Sequence, residues 1–430
     1  MRLRFALVAL TPLLVGLVAH AAMAAGREAR IENAPRGGQK TARSGDTRPA
    51  AERYFDAEFL RRSEAYNRGK VVYALNARAI RWAAYAMLLL GPLLPAVSKR
   101  LTRRFTRSSA TRVFFLAWVV LAVTFAAVLP VAFASGYLQE HRYELSHQSL
   151  GGWLGDAAKG LGIWGAAFSL LTVLYFQLRQ RMPRAGWAAL AGVAIVVVVA
   201  ATFAYPLVVD PLFNRYRPLR DPELRKDLTE MARAEGILLD RILVMEASAK
   251  TVRENAYFTG LGRTKRVVLW DNLLENASPA EVRQVFAHEL GHWSRGHIVR
   301  GLALSIAAIP LLCWFLWTAH GRLARVRRLG LEGPEDPLGI PLLWLLLSVS
   351  LFAADPVSNA ISRAMEREAD GVALELTGDA QTFIDYERRS SVVNLGWVDP
   401  PAVWKGLFWT HPTTLERIRM AEEWRSRRAG

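Results

Sequence analysis

The sequence predicts a mainly α protein: a polytopic membrane helix bundle of six or seven spans with an α+β segment embedded among them. Three observations predict it. The chain of 430 residues is 52% hydrophobic, and its apolar residues gather in long runs instead of dispersing through a soluble core. Clusters of Arg and Lys separate several of those runs. Residues 210 to 300 interrupt the runs with polar sequence patterned first for a helix and then for short strands.

Residues 1–25 have a basic start, an apolar stretch and a small-residue end, the pattern of a cleaved signal peptide or of a retained first membrane helix. Residues 26–70 read as an exposed linker and pre-membrane segment, since the stretch to residue 53 is rich in Gly, Arg and Ala and carries no period. Residues 71–209 hold four runs, Ile80–Val97, Val113–Ala134, Ile163–Gln177 and Trp187–Val209, and residues 301–355 hold two more, Leu302–Trp317 and Leu338–Ala353. A span needs about 20 apolar residues.

Three basic loops punctuate these runs. Lys99, Arg100, Arg103, Arg104, Arg107 and Arg112 form one; Arg179, Arg181 and Arg184 a second; Arg322, Arg325, Arg327 and Arg328 a third. The positive-inside rule assigns all three to the cytoplasm together with Arg2 and Arg4, which leaves residues 210–300 and the C-terminal tail extracytoplasmic, in a bacterial inner membrane. Because so many of the basic residues flank apolar runs, the net charge of +17 reflects membrane orientation, and no nucleic-acid partner is expected. The lone cysteine, Cys313, lies inside an apolar run. That excludes an intrachain disulfide and a thiolate metal site.

Within residues 210–300, Asp221 caps a helix that Gly236 ends. Arg241–Glu246 and Arg266–Trp270 read as strands, with Asn255–Thr259 between them and Gly260-Leu261-Gly262 as the turn. These strands either support the next helix or offer an edge on which a peptide adds as a further strand. Ser278, Pro279 and Glu281 then form a capping box in front of Val282, Val285 and Phe286.

That capped helix carries His288-Glu289-Leu290-Gly291-His292. Histidines four apart share one helix face, close enough for both imidazoles to bind one zinc ion, with Glu289 placed to take a proton from water. A third ligand is then required. His297 misses the spacing of the extended zincin pattern and reads as a helix-end residue or a support for the ligands. Downstream, Glu366 and Asp370 lie one turn apart on a helix continuing the last run. One carboxylate suits the metal and the other the free N–H of a ligand histidine, although taken alone these residues, with Arg367 and Glu368, read first as a solvated charged face.

The motifs together resemble the integral-membrane gluzincin family typified by the type I CaaX prenyl endopeptidase, with the bacterial heat-shock membrane protease as a smaller relative. The resemblance covers about residues 70 to 425. It is carried by Asp210-Pro211-Leu212-Phe213-Asn214, Asn255-Ala256-Tyr257-Phe258-Thr259-Gly260, Arg266-Val267-Val268-Leu269-Trp270-Asp271, the His288 to Trp293 helix, Ser362-Arg363 with Glu366 and Asp370, and His411-Pro412-Thr413.

It implies a zincin-like catalytic segment at 210–300 and a C-terminal catalytic segment at 356–430 with the third zinc ligand and the His-Pro motif. His288, His292 and Glu366 would hold one Zn2+, Glu289 would be the general base acting on zinc-activated water, and Asp370 would orient a ligand histidine. His411 and Asn255 would lie at the active site, His411 as oxyanion stabiliser. The implied activity is that of a membrane-embedded zinc metalloendopeptidase. Its partners would be the lipid bilayer and a polypeptide substrate, lipidated or membrane-associated.

An extracytoplasmic site departs from the eukaryotic prenyl proteases, which open toward the cytosol. That keeps a quality-control protease without prenyl preference in view as an alternative. A non-catalytic zinc-stabilised scaffold or chaperone is the third reading; such a site needs ligands but no Glu289.

Overall fold

The computed structural model describes residues 48–104, 108–239, 241–259 and 266–429. The N-terminal stretch 1–25, the linker to residue 47, Arg107 and the Gly260-Leu261-Gly262 turn lie outside the described residues.

Helix α1 (Ala57–Leu90) starts on an Asp56 cap whose carboxylate accepts from the Phe59 amide. Residues 57–70, expected within an exposed pre-membrane segment, are therefore the first turns of α1, and they bury Phe59 and Tyr66. The run predicted at 80–97 is not one straight helix. It breaks at Gly91, where Pro92 has no amide hydrogen to continue the ladder, and α2 (Leu93–Arg104) leaves at an angle of 59°.

Next come α3 (Ser109–Phe133), α4 (Leu150–Arg181) and α5 (Gly186–Ala204). After the soluble insert follow α9 (His297–Leu323) and α10 (Ile340–Thr377). Among the described residues, five helices are long and apolar enough to cross a membrane: α3 with its continuation to Arg142, α4, α5 with its continuation to Leu212, α9, and α10 with its lead-in turn. The bent pair α1–α2 makes a sixth when taken as one span. Their shared core includes Leu116, Val120, Phe176, Trp317 and Trp344.

The insert contributes β1 (Tyr216–Pro218), α6 (Pro222–Ala234), β2 (Ile242–Met245), β3 (Ala256–Thr259), β4 (Arg266–Trp270), α7 (Asp271–Asn276) and α8 (Pro279–Ser294). The four strands form one sheet in the order β1-β2-β4-β3. β2 and β4 are parallel, while β1 and β3 pair antiparallel on either side. Strand β1 was not anticipated, because a three-residue strand ending in Pro218 carries no alternating pattern. Strand β3 is an edge. The Trp270 amide donates to the Asn255 carbonyl, so alternate residues turn toward β4 and the polar backbone groups of Ala256 and Phe258 turn away from the sheet.

Helices α11 (Ala380–Asn394), α12 (Ala402–Phe408) and α13 (Thr414–Ala429) complete the chain. The second core joins the sheet to α8, α10, α11 and α13 through Val244, Val267, Leu269, Phe286, Leu290, Leu374, Phe383 and Ile418. Helix α10 belongs to both cores, and so carries residues from the membrane bundle into the insert. It packs tightly on α8 because Gly291 has no side chain. A Cβ there would lie 2.8 Å from the Ala369 Cα and 2.9 Å from its carbonyl oxygen.

Candidate metal centre and active site

The capping box sets the start of α8. Ser278 Oγ accepts from the Glu281 amide, and the Glu281 carboxylate accepts from the Ser278 amide. From this start the helix delivers His288 and His292 to the face that meets α10, with their Nε2 atoms 3.1 Å apart. Opposite them, Glu366 places Oε2 3.3 Å from His288 Nε2 and Oε1 3.5 Å from His292 Nε2. Ligand atoms of all three lie within 4.8 Å of one another.

The outer nitrogens are both engaged. His288 Nδ1 lies 2.8 Å from Asp370 Oδ1, and a carboxylate there accepts an N–H, which leaves the Nε2 lone pair facing Glu366. His292 Nδ1 lies 2.9 Å from His297 Nδ1, and His297 Nε2 lies 3.2 Å from Glu368 Oε2. Because Glu368 takes the Nε2 proton of a neutral His297, the His297 Nδ1 accepts from His292. That again leaves the His292 Nε2 lone pair directed inward.

This donor set fits a metal ion. Two imidazole lone pairs and a carboxylate converge, and the buried Glu366 Oε2 has no hydrogen-bond donor among the described residues. Burial pushes the His288 ring down, but the Asp370 and Glu366 carboxylates beside it outweigh that and carry the imidazole up to about 10. The same two carboxylates favour a metal cation at that nitrogen.

Glu289 lies beside these three residues, and its Oε2 accepts the outward Phe258 amide of β3 at 3.1 Å. Burial raises its carboxyl above the usual range, opposed by the two neighbouring histidines. Asn255 stands exposed at the head of β3, with its Oδ1 turned onto the Ala256 amide at 2.9 Å. His411 is exposed in the loop before α13, and its Nε2 lies 3.4 Å from Glu366 Oε2. The structure thus brings His288, His292, Glu289, Glu366, Asp370 and His411 to one place, and Asn255 to the adjoining edge strand.

Two supports went unseen in the sequence. Arg417 donates to both Asp370 oxygens, with Nε 2.9 Å from Oδ2, and its Nη1 pairs with Glu387 at 2.7 Å. The available signal was a second capping box, Thr413 to Glu416, which sets the start of α13 and so the direction of Arg417. Arg300 holds Glu368 at 2.7 Å behind His297.

Residues 218–425 match Peptidase family M48, and residues 39–215 match the family described as CAAX prenyl protease N-terminal, five membrane helices. The chain is 30% identical over 363 residues to an uncharacterised metalloprotease of Bacillus subtilis (strain 168), covering 84% of this chain and 85% of that one. It is 25% identical over 396 residues to CAAX prenyl protease 1 of Saccharomyces cerevisiae, covering 86% and 87%. The crystal structure of S. mikatae Ste24p has a similar fold, with a TM-score of 0.77 over 97% of this chain and 98% of that chain at 23% identity. With its apolar helices and His/Glu centre, the chain belongs to peptidase family M48 as a multi-pass membrane metallopeptidase.

Proposed function

We propose that the chain is a zinc endopeptidase of the CaaX-prenyl-protease kind, in which His288, His292 and Glu366 hold one Zn2+ and Glu289 is the general base. The observation that carries this reading is the convergence of two imidazole lone pairs on Glu366, with Glu289 held beside them by a sheet-edge amide. Bound there, the ion supplies Lewis acidity, polarising the scissile carbonyl and acidifying water.

Glu289 takes a proton from the attacking water and delivers it to the departing amine as the C–N bond breaks. Its raised proton affinity suits both halves of that transfer. Asp370 and His297 keep the ligand rings in their tautomers. The outward backbone of β3, with Asn255 at its head, receives the substrate as an added strand, which reads a peptide almost independently of its sequence. His411 stands where it can donate to the oxyanion.

The substrate in this reading is a membrane-associated polypeptide, isoprenylated or unmodified. The basic loops gather at the ends of α2, α4 and α9, the ends remote from α8, which favours an extracytoplasmic site in a bacterial inner membrane. It also favours quality control of membrane proteins as the second reading. Cleavage assays on purified protein with matched peptides, with and without an isoprenyl group, and with an unfolded polypeptide separate the two. Zinc-retaining Glu289→Ala serves as the control. Cleavage only of the isoprenylated peptide supports the prenyl protease, and cleavage of all three supports quality control. If Glu289→Ala cuts like the wild type, the catalytic assignment fails.

A further inference from the structure

At the end of the bundle remote from the metal helix, the C-termini of α4 and α9 and the N-terminus of α5 enclose a cavity of about 320 Å3. Arg179, Arg184, Arg322 and Arg325 line it with Trp187 and Trp317, and no Asp or Glu does. Among the described residues, none of the four guanidinium groups forms an ion pair with a carboxylate.

Arg179 forms the floor. It is 5% exposed, lies over the Trp317 ring at 4.2 Å, and donates from Nη2 to the Trp317 carbonyl at 2.6 Å. Its buried Nε has no hydrogen-bond partner. Gly321 makes room for this guanidinium, since a Cβ there would come within 3.1 Å of its Cζ. Arg184, Arg322 and Arg325 are exposed at the rim.

Four positive groups around one concavity repel each other and leave donors unused, a cost that an anion removes. Guanidinium forks match phosphate oxygens. The cavity also sits where three candidate spans end, and its tryptophans suit the headgroup level of a bilayer. His297, at the other end of α9, lies on the order of 35 Å away along the helix, so the cavity is separate from the metal centre.

We propose that this cavity binds a phosphate group, with the headgroup of an anionic phospholipid as the source that its position favours. Native mass spectrometry of the full chain in non-ionic detergent tests it, with phosphatidic acid and phosphatidylcholine as probes and inorganic phosphate as competitor. Wild type should retain phosphatidic acid over phosphatidylcholine. An Arg184→Gln/Arg322→Gln variant, altered only at exposed positions, should lose on the order of fivefold per arginine while keeping its zinc content and peptide cleavage. Displacement by millimolar inorganic phosphate would support the site and identify a soluble source. Equal retention of the two lipids, or equal retention by wild type and variant, overturns the proposal.

Discussion

The Phe258 amide donates a 3.1 Å hydrogen bond to the Glu289 carboxylate. The edge strand and the proposed base are therefore fixed to each other before any substrate arrives. Glu289→Gln keeps the size of the side chain and can still accept from Phe258, but it cannot take a proton. Peptidase activity should fall by about 10²- to 10⁴-fold, with metal content by elemental analysis unchanged. Loss of metal together with activity would show that Glu289 serves binding instead.

Gly291 sets the distance between α8 and α10. Gly291→Ala puts a methyl group against the Ala369 backbone, with 2.8 Å to its Cα, and neither backbone yields cheaply. The helices should separate at a cost of about 1–3 kcal/mol, drawing Glu366 from the histidines. A metal titration should show weakened affinity in a protein that still inserts and folds. Unchanged affinity would mean that the helix pair relaxes elsewhere.

Asp370→Asn should lower metal affinity about 10- to 100-fold, because His288 loses the carboxylate that fixes its ring. Arg417→Gln should behave differently. It leaves the buried Asp370 and Glu387 carboxylates without their shared cation, so it should cost about 3–5 kcal/mol of stability whether or not metal is bound. Thermal unfolding with and without chelator distinguishes the two effects.

Glu281 gives the fold an acid-sensitive element outside the metal centre. Burial would raise its carboxyl, but Arg389 and the Ser278 amide hold it below the usual value of 4.5. With the folded-state pKa depressed, its stabilisation is present above about pH 4.5 and is lost as pH falls through the folded value. The Tm difference between wild type and Glu281→Gln should therefore be full at pH 6 and shrink toward pH 3. A constant difference would assign the effect to packing alone.

Legibility in the sequence followed the range of the interactions. His288, Glu289 and His292 share one turn of a helix whose cap lies ten residues upstream, so their proximity follows from helix geometry. Glu366 could not be read that way. Its histidine partners on α8 are more than 70 positions away, and Glu366-Arg367-Glu368 looks like any solvated face until resemblance singles out its first member. Arg417 was out of reach because its two acidic partners sit on different helices, α10 and α11. The start of α1 was missed because its first turns are polar between buried Phe59 and Tyr66, and hydropathy registers only the apolar run that follows.

The proposed ligand set is also ordered in time by the order of the chain. A nascent polypeptide emerging from the ribosome through α9 carries both imidazoles and Glu289 but no carboxylate at the third position, because Glu366 follows on the next long helix. The Arg417 clamp on Asp370 arrives later still, 47 residues further along the chain. In the proposed reading, hydrolytic competence thus waits until the candidate spans among the described residues have been made. In that reading, a chain truncated before α10 lacks Glu366 and leaves only an inert fragment in the membrane.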